Sequence, residues 1–455
     1  MRGLIVASFA CVLGLAAAAP AAAQEAEALK RELEQMRRQF ESAQRQYQQA
    51  IEALSQRLQR LESQTPAPVA QTPAPTPPAP TVTDYLRPRP PFALTERTGR
   101  GQLLFDLGVV ADFVGNLTQR NVDKANSGTF FGRENRLFPR EIELLLFGQI
   151  DPYARGEVRI EAAEEFEDNQ RKTEVGLAEA HLTLLTLPFG LQAKLGQMRN
   201  RFGLLNQGHR EALPQPDAPN VLARFLGEEG LVERGVELTL IPDLPFYLEP
   251  LVGIFNGDNG TAFGRASLRA PLVTGRLRTF FEPGDTSAIQ LGVSGATGET
   301  AAKRSSTLLG ADLKSKLVPE GWRHPLLTLA GEVLSARRKL DVTGDPNQDT
   351  IDTGETRTRQ RMGWYAYGEI QPWKRWVGGV RYDSTQFPIN PGREWAVEPY
   401  VGFMPSDFLR FRLAGKHTDR SHRDGFNANG ASARVVDEIL FQATFFLGAH
   451  TPHPF

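Results

Sequence analysis

From about Leu103 onward, segment after segment alternates apolar and polar residues, and a period of two is the signature of β-strands. Leu103, Phe105, Leu107, Val109, Ala111 and Phe113 are interleaved with positions that include Gln102, Asp106 and Asp112. Ala154, Gly156, Val158, Ile160 and Ala162 oppose Arg155, Glu157, Arg159 and Glu161. Leu309, Ala311 and Leu313 oppose Asp312, Lys314 and Lys316; Leu409, Phe411 and Leu413 oppose Arg410, Arg412 and Lys416. These segments run to about ten residues, the length a tilted strand needs to cross a bilayer. After Ala23 no apolar run reaches the ~18 residues of a spanning helix.

A soluble sandwich would alternate in the same way strand by strand, so the connectors decide. Short ones fall at 151–152, 188–190, 242–245, 282–287, 319–325, 373–375 and 405–407. Between them lie polar, Gly- and charge-rich segments, roughly 116–138, 164–172, 200–232, 256–261, 296–304, 340–361, 384–393 and 418–434. Short turns on one side and longer loops on the other are the pattern of a transmembrane barrel. The expectation is an all-β fold: an antiparallel transmembrane β-barrel of about 16 strands over 101–455, both ends on the short-turn side. Phe246, Trp322, Trp373, Trp376, Phe403 and Phe408 near the turns suit interfacial girdles against outer-membrane lipid.

The segment before the barrel reads differently. Arg2, the apolar stretch from Leu4 to Ala18, and Ala21-Ala22-Ala23 predict a signal peptide over 1–23, cut before Gln24. The single cysteine, Cys11, lies inside that stretch without a lipobox, so the mature chain carries none and a framework other than disulfides must hold it. Over 24–64, Leu29, Leu33, Met36, Phe40, Ala43 and Tyr47 form a heptad seam. Ile51, Leu54, Leu58 and Leu61 resume it after a four-residue stutter. A seam this long has little to bury against in one chain. It predicts a self-associating periplasmic coiled coil; the spacing does not set the number of strands in the bundle, and a homotrimer is expected because many barrel pores are trimeric. Residues 65–100 read as a Pro-rich linker. A net charge of −1 gives no footprint for a polyanion, so no nucleic acid partner is expected.

Signal peptide, coiled coil, Pro-rich linker and a barrel ending in Phe together resemble the porin superfamily that includes the phosphate-selective porins O and P. Within it the chain is similar to porin-like proteins labelled zinc-regulated outer-membrane receptors. The stretches GLAEAHLTLLTLPFGLQAKLGQMRNRFGLLNQGH, EEGLVERGVELTLIPDLP and FQATFFLGAHTPHPF carry the likeness, which covers most of the chain from about residue 100 onward. The resemblance implies a barrel with a channel role in the outer membrane, passing small hydrophilic solutes or ions by diffusion. Zinc uptake, or a barrel anchoring a coiled-coil tether to peptidoglycan, are the alternatives. Phe455 would be read by the barrel-assembly machinery, although Pro452 and Pro454 interrupt the usual final strand.

Two departures limit what carries over. A phosphate pore implies a ladder of basic residues, whereas the expected lining mixes Arg155, Arg159, Arg265, Arg269, Lys314, Arg410 and Arg412 with acids such as Glu157 and Glu161. Mixed rings give little ion selectivity. An energy-coupled receptor implies a plug domain, and only a coiled coil and linker precede the barrel.

The segment 200–232 is long enough to need a reason. It carries Arg201, His209, Arg210, Glu211 and Arg224, which would narrow the lumen if the loop folds inward, or stay solvated if it does not. His417, Asp419, His422 and Asp424 are close enough in sequence to converge on a divalent cation in an external loop, or to be a solvated charged loop. Asp345, Asn347, Asp349 and Asp352 begin like a calcium loop, but Thr350 stands where its glycine belongs. No cofactor is required. No G-x-S-x-G, H-E-x-x-H or Walker motif occurs, so no enzyme activity and no catalytic residues are expected.

Overall fold

The computed structural model describes residues 104–119, 129–130, 133–167, 170–284, 286–319, 327–341, 356–389, 392–421 and 434–448. The expected signal peptide, heptad segment, Pro-rich linker and terminal Phe455 lie outside them, as does the calcium-like run. The described chain forms sixteen strands: β1 Leu104–Thr118, β2 Leu137–Asp151, β3 Ala154–Glu167, β4 Gln170–Leu184, β5 Leu191–Arg199, β6 Val232–Leu240, β7 Tyr247–Phe255 and β8 Leu272–Phe281. They continue as β9 Ser287–Glu299, β10 Ser305–Leu317, β11 Leu327–Asp341, β12 Thr356–Trp373, β13 Trp376–Gln386, β14 Arg393–Ser406, β15 Leu409–Arg420 and β16 Val435–Gly448. One seven-residue helix, α1, spans Asn220–Leu226.

Every strand pairs with its sequence neighbours, and β1 pairs with β16 from Gly108↔Gly448 to Thr118↔Glu438, which closes the barrel. Closure satisfies the backbone. In hydrocarbon each orphaned N–H or C=O costs several kcal/mol, so an open edge is untenable there.

The two faces are inverted relative to a soluble protein. Leu107, Ile142, Leu144, Val236, Val252, Leu277, Val293, Leu309, Leu313, Val333, Trp364, Val380, Leu413 and Phe441 point outward and are exposed. The interleaved positions are charged and buried: Asp112, Glu143, Arg159, Glu237, Arg276, Asp312, Glu332, Arg381, Glu398 and Lys416. The alternation that predicts the strands therefore also sorts apolar side chains to the outside and charges to the lumen.

The turns follow local chemistry. Between β2 and β3 the Tyr153 N–H donates to Asp151 Oδ1 at 2.7 Å, tightening a two-residue turn. Between β4 and β5, Phe189 (φ 65°) and Gly190 (φ 74°) take the left-handed region. Two loop expectations change. The 164–172 segment stays paired in β3 and β4 up to Glu167↔Gln170 instead of forming a long loop. The loop expected over 256–261 runs on to Pro271, because Gly264 (φ 100°), Ala266 (φ 50°) and Pro271 break the extended backbone.

β5 is short. Its pairing with β4 covers only Ala180↔Gln197 to Leu184↔Ala193, and a bulge leaves Ala178 of β4 without a partner in β3. The Gln197 side chain takes over, donating to the carbonyls of Ala178 and Leu177. Past Arg199 the chain leaves the wall and turns into the barrel.

Candidate functional site

The segment from Asn200 to Leu231 joins β5 to β6 through the lumen and fastens to strands around the whole wall. Near its start Arg201 bridges Glu237 of β6 at 2.6 Å and Glu249 of β7 at 2.7 Å. The Gly203 N–H donates to Ser294 Oγ of β9 at 3.0 Å, and its carbonyl accepts from Arg276 of β8. The Leu204 N–H donates to Glu332 of β11 at 3.2 Å. Gly203 has φ 65°, and a Cβ there would meet the Glu332 carboxylate at 1.8 Å, so the turn admits only glycine.

Mid-loop contacts reach the opposite side. His209 lies between two carboxylates, with Nδ1 2.8 Å from Glu143 of β2 and Nε2 2.5 Å from Glu179 of β4. Burial alone would lower its pKa, but the two carboxylates overcome that and raise it to about 9, so the ring is an imidazolium at neutral pH. Arg210 pairs with Glu229 within the loop and approaches Glu141 of β2 at 3.5 Å. Arg140 of β2 donates to the Pro216 carbonyl at 2.6 Å. Arg412 of β15 reaches the Glu211 carbonyl at 3.4 Å.

The far end is held by a buried charge network. Asp217 accepts from Arg381 of β13 at 2.7 Å and from Lys416 of β15 at 2.5 Å. Arg381 also contacts Asp383 at 3.0 Å and Glu398 of β14 at 2.6 Å. Burial would raise the Asp217 pKa, but Arg381 and Lys416 hold it well below the usual carboxylate range. Helix α1 then packs Val221, Leu222, Phe225 and Leu226 with Phe202, Leu204 and Leu231 against wall residues Phe255, Leu272, Leu308, Leu334 and Tyr365. A Cβ on Gly363 of β12 would meet Val221 Cγ2 at 2.6 Å, so this glycine gives the helix its close approach. Arg224 donates to both oxygens of Glu394 of β14, at 2.8 and 3.2 Å. An apolar cluster and a ring of ion pairs thus dock one loop across the barrel.

The expected lining residues divide. Glu157, Arg159 and Glu161 lie together on β3: Arg159 bridges Glu143 at 2.6 Å and Glu157 at 3.2 Å. Arg155 is exposed at the short-turn end of the same strand. Lys314 on β10, and Arg410 and Arg412 on β15, occupy inward positions opposite the exposed Leu313 and Leu413. Arg265 and Arg269 do not line the wall. They sit in the loop between β7 and β8, where Arg265 approaches Glu299 at 3.4 Å and Arg269 is exposed.

The external cation cluster is likewise revised. His417 and Asp419 belong to strand β15, not a loop, and face outward. His417 Nδ1 pairs with Asp437 at 2.6 Å, and Asp419 accepts from Arg434 at 3.2 Å. His422 and Asp424 lie outside the described residues. Inside the barrel Glu143, His209 and Glu211 converge, and both ring nitrogens of His209 face carboxylates.

Sequence reasoning missed Arg140, Arg276, Arg381, Glu394 and Glu398 as loop anchors. Alternation alone would place Arg381 inward, between the outward Val380 and Tyr382; nothing in the linear order pairs it with Asp217.

No family model matches the chain. An uncharacterized protein of Aquifex aeolicus (strain VF5) is 28% identical over 350 residues, covering 69% of each chain. Among solved structures, the outer membrane channel DcaP of Acinetobacter baumannii superposes with a TM-score of 0.50 over 76% of this chain and 97% of that one, at 10% identity. An anion-selective porin from Comamonas acidovorans superposes with a TM-score of 0.47 over 75% of this chain and 98% of its own, at 9% identity. The likeness to the Acinetobacter channel shows a shared barrel fold.

Proposed function

We propose that the chain is an outer-membrane channel through which small hydrophilic solutes or ions diffuse passively, with the loop from Asn200 to Leu231 setting its bore. The observation that carries this reading is the closed barrel with exposed aliphatic side chains outside and charged side chains within. Such a surface is stable only in a bilayer, and a charged interior is the lining of an aqueous path. The shared fold with an outer membrane channel supports the same compartment and role. The heptad seam over 24–64 supports self-association through the periplasm, with peptidoglycan as a candidate contact.

Liposome swelling tests the proposal. Vesicles loaded with purified full chain should swell in isotonic sugars, faster for small sugars than for large ones. Folded, inserted protein that admits no solute would refute it.

A further inference from the structure

The outer wall carries a patch that hydrocarbon alone does not explain. Several outward side chains near the long-loop end are paired in place: Arg234 of β6 with Asp258 at 3.6 Å, His417 of β15 with Asp437 of β16 at 2.6 Å, and Arg434 with Asp419 at 3.2 Å. Arg337 and Lys339 of β11 break this pattern. Both are exposed at outward positions that alternate with the buried Ala336, Arg338 and Leu340. Neither has a carboxylate within ion-pair distance among the described residues. Glu299, at the end of β9, is engaged by Arg265 at 3.4 Å.

The surroundings of the two cations are neutral and polar. In the ladder Arg337 stands between Thr307 of β10 and Gln360 of β12, and Lys339 beside Thr358. Thr307 Oγ1 lies 3.2 Å from Thr297 Oγ1, and Gln360 Nε2 donates to Ser335 Oγ at 3.1 Å. A basic pair set among hydroxyl and amide groups offers partners both to an anion and to the hydroxyls around it.

Nearer mid-strand the same wall is hollow. Gly331 of β11 faces Ala366 of β12 in register, and Gly368 follows on the same outward face, so adjoining positions lack a large side chain. Leu313 of β10 and Tyr382 of β13 flank the hollow and Trp364 tops it, forming an open apolar groove of about 780 Å³. The Trp364 and Tyr382 rings lie 5.2 Å apart between centroids. Arg337 is four positions beyond Val333, the partner of Trp364, which is about 13 Å along the strand at about 3.3 Å per residue. One face thus aligns an apolar groove within the lipid-facing wall and two unpaired cations further toward the long-loop end.

We propose that this face of β10–β13 binds a phosphorylated, acylated lipid of the outer leaflet, with an acyl chain in the groove and a headgroup phosphate on Arg337 and Lys339. The claim rests on the barrel's place in the outer membrane and is independent of conductance. A guanidinium gives a phosphate two parallel donors, and the ammonium adds its charge at the interface. Charge complementarity favours this lipid over a second copy of the chain, since packing another barrel here would bury two cations that come without counter-ions.

The test is native mass spectrometry of the full chain released from detergent, with diphosphoryl lipid A and its dephosphorylated form as probes. The wild type should retain the diphosphoryl form and bind the dephosphorylated one about tenfold more weakly or worse. Arg337→Gln/Lys339→Gln should lose that factor for the diphosphoryl form alone, and Arg337→Lys/Lys339→Arg should keep it. Ala366→Leu, which fills the groove, should weaken both forms alike. No retention, equal retention of both forms by the wild type, or a Gln variant that binds as the wild type does overturns the proposal. So does a multimer that forms in place of the lipid adduct and is abolished by Ala366→Leu. A barrel that binds the lipid but never conducts overturns the channel reading alone.

Discussion

His209 shows how one side chain governs the position of a loop. Its imidazolium is shared by Glu143 and Glu179, and its pKa is raised to about 9 from an ordinary value near 6.5. A raised folded-state pKa means the stabilisation is fully present below the unfolded value and is lost as pH rises through about 9. Hydrogen exchange of the loop amides should therefore speed up beyond the intrinsic rate as pH passes that value, and His209→Gln should exchange fast at neutral pH with no such step. A loop equally protected on both sides of the transition would contradict the clamp. Arg381 makes a second residue-scale prediction. It is fully buried between Asp217, Asp383 and Glu398, so Arg381→Met strands Asp383 and Glu398 and leaves Asp217 to Lys416. The expected cost is about 3–5 kcal/mol, read as a lower urea midpoint for the detergent-folded barrel. On the opposite face of the same barrel, Leu309→Arg places a charge in lipid. It should cost roughly 2–4 kcal/mol if Leu309 sits at mid-depth, and an unchanged midpoint would argue against a lipid-facing wall there.

At the scale of elements, the strands were legible and the loop was not. Alternation depends on which side of a two-residue repeat meets lipid, so Leu309/Asp312 and Leu413/Arg412 could be sorted from the linear order alone. The segment 262–271 shows where this fails: Arg265 and Arg269 alternate acceptably, but Gly264, Ala266 and Pro271 set a backbone that cannot extend. The inserted loop obeys no period at all. Its course is fixed by pairings such as Asp217 with Arg381, 164 residues apart, and Arg224 with Glu394, 170 residues apart. Its charges fit a solvated surface loop equally well until the wall supplies their partners. Because the docking surface is partly apolar, removing 206–222 should leave the sixteen strands closed but strip the cover from Glu143 and Glu398.

For the whole molecule, the inverted distribution of polarity, the closed hydrogen-bond ladder and the loop crossing the lumen all follow from a chain that must satisfy hydrocarbon outside and water inside. The filled interior resembles a soluble core turned around a channel axis: an apolar cluster on the β7–β12 side, ion pairs around the rest. The measurement that bears most directly on this account is the single-channel conductance of the full chain beside a variant lacking 206–222. Discrete openings in the wild type that enlarge on deletion are the predicted result. Identical conductance in both, or no openings from inserted protein, would contradict it.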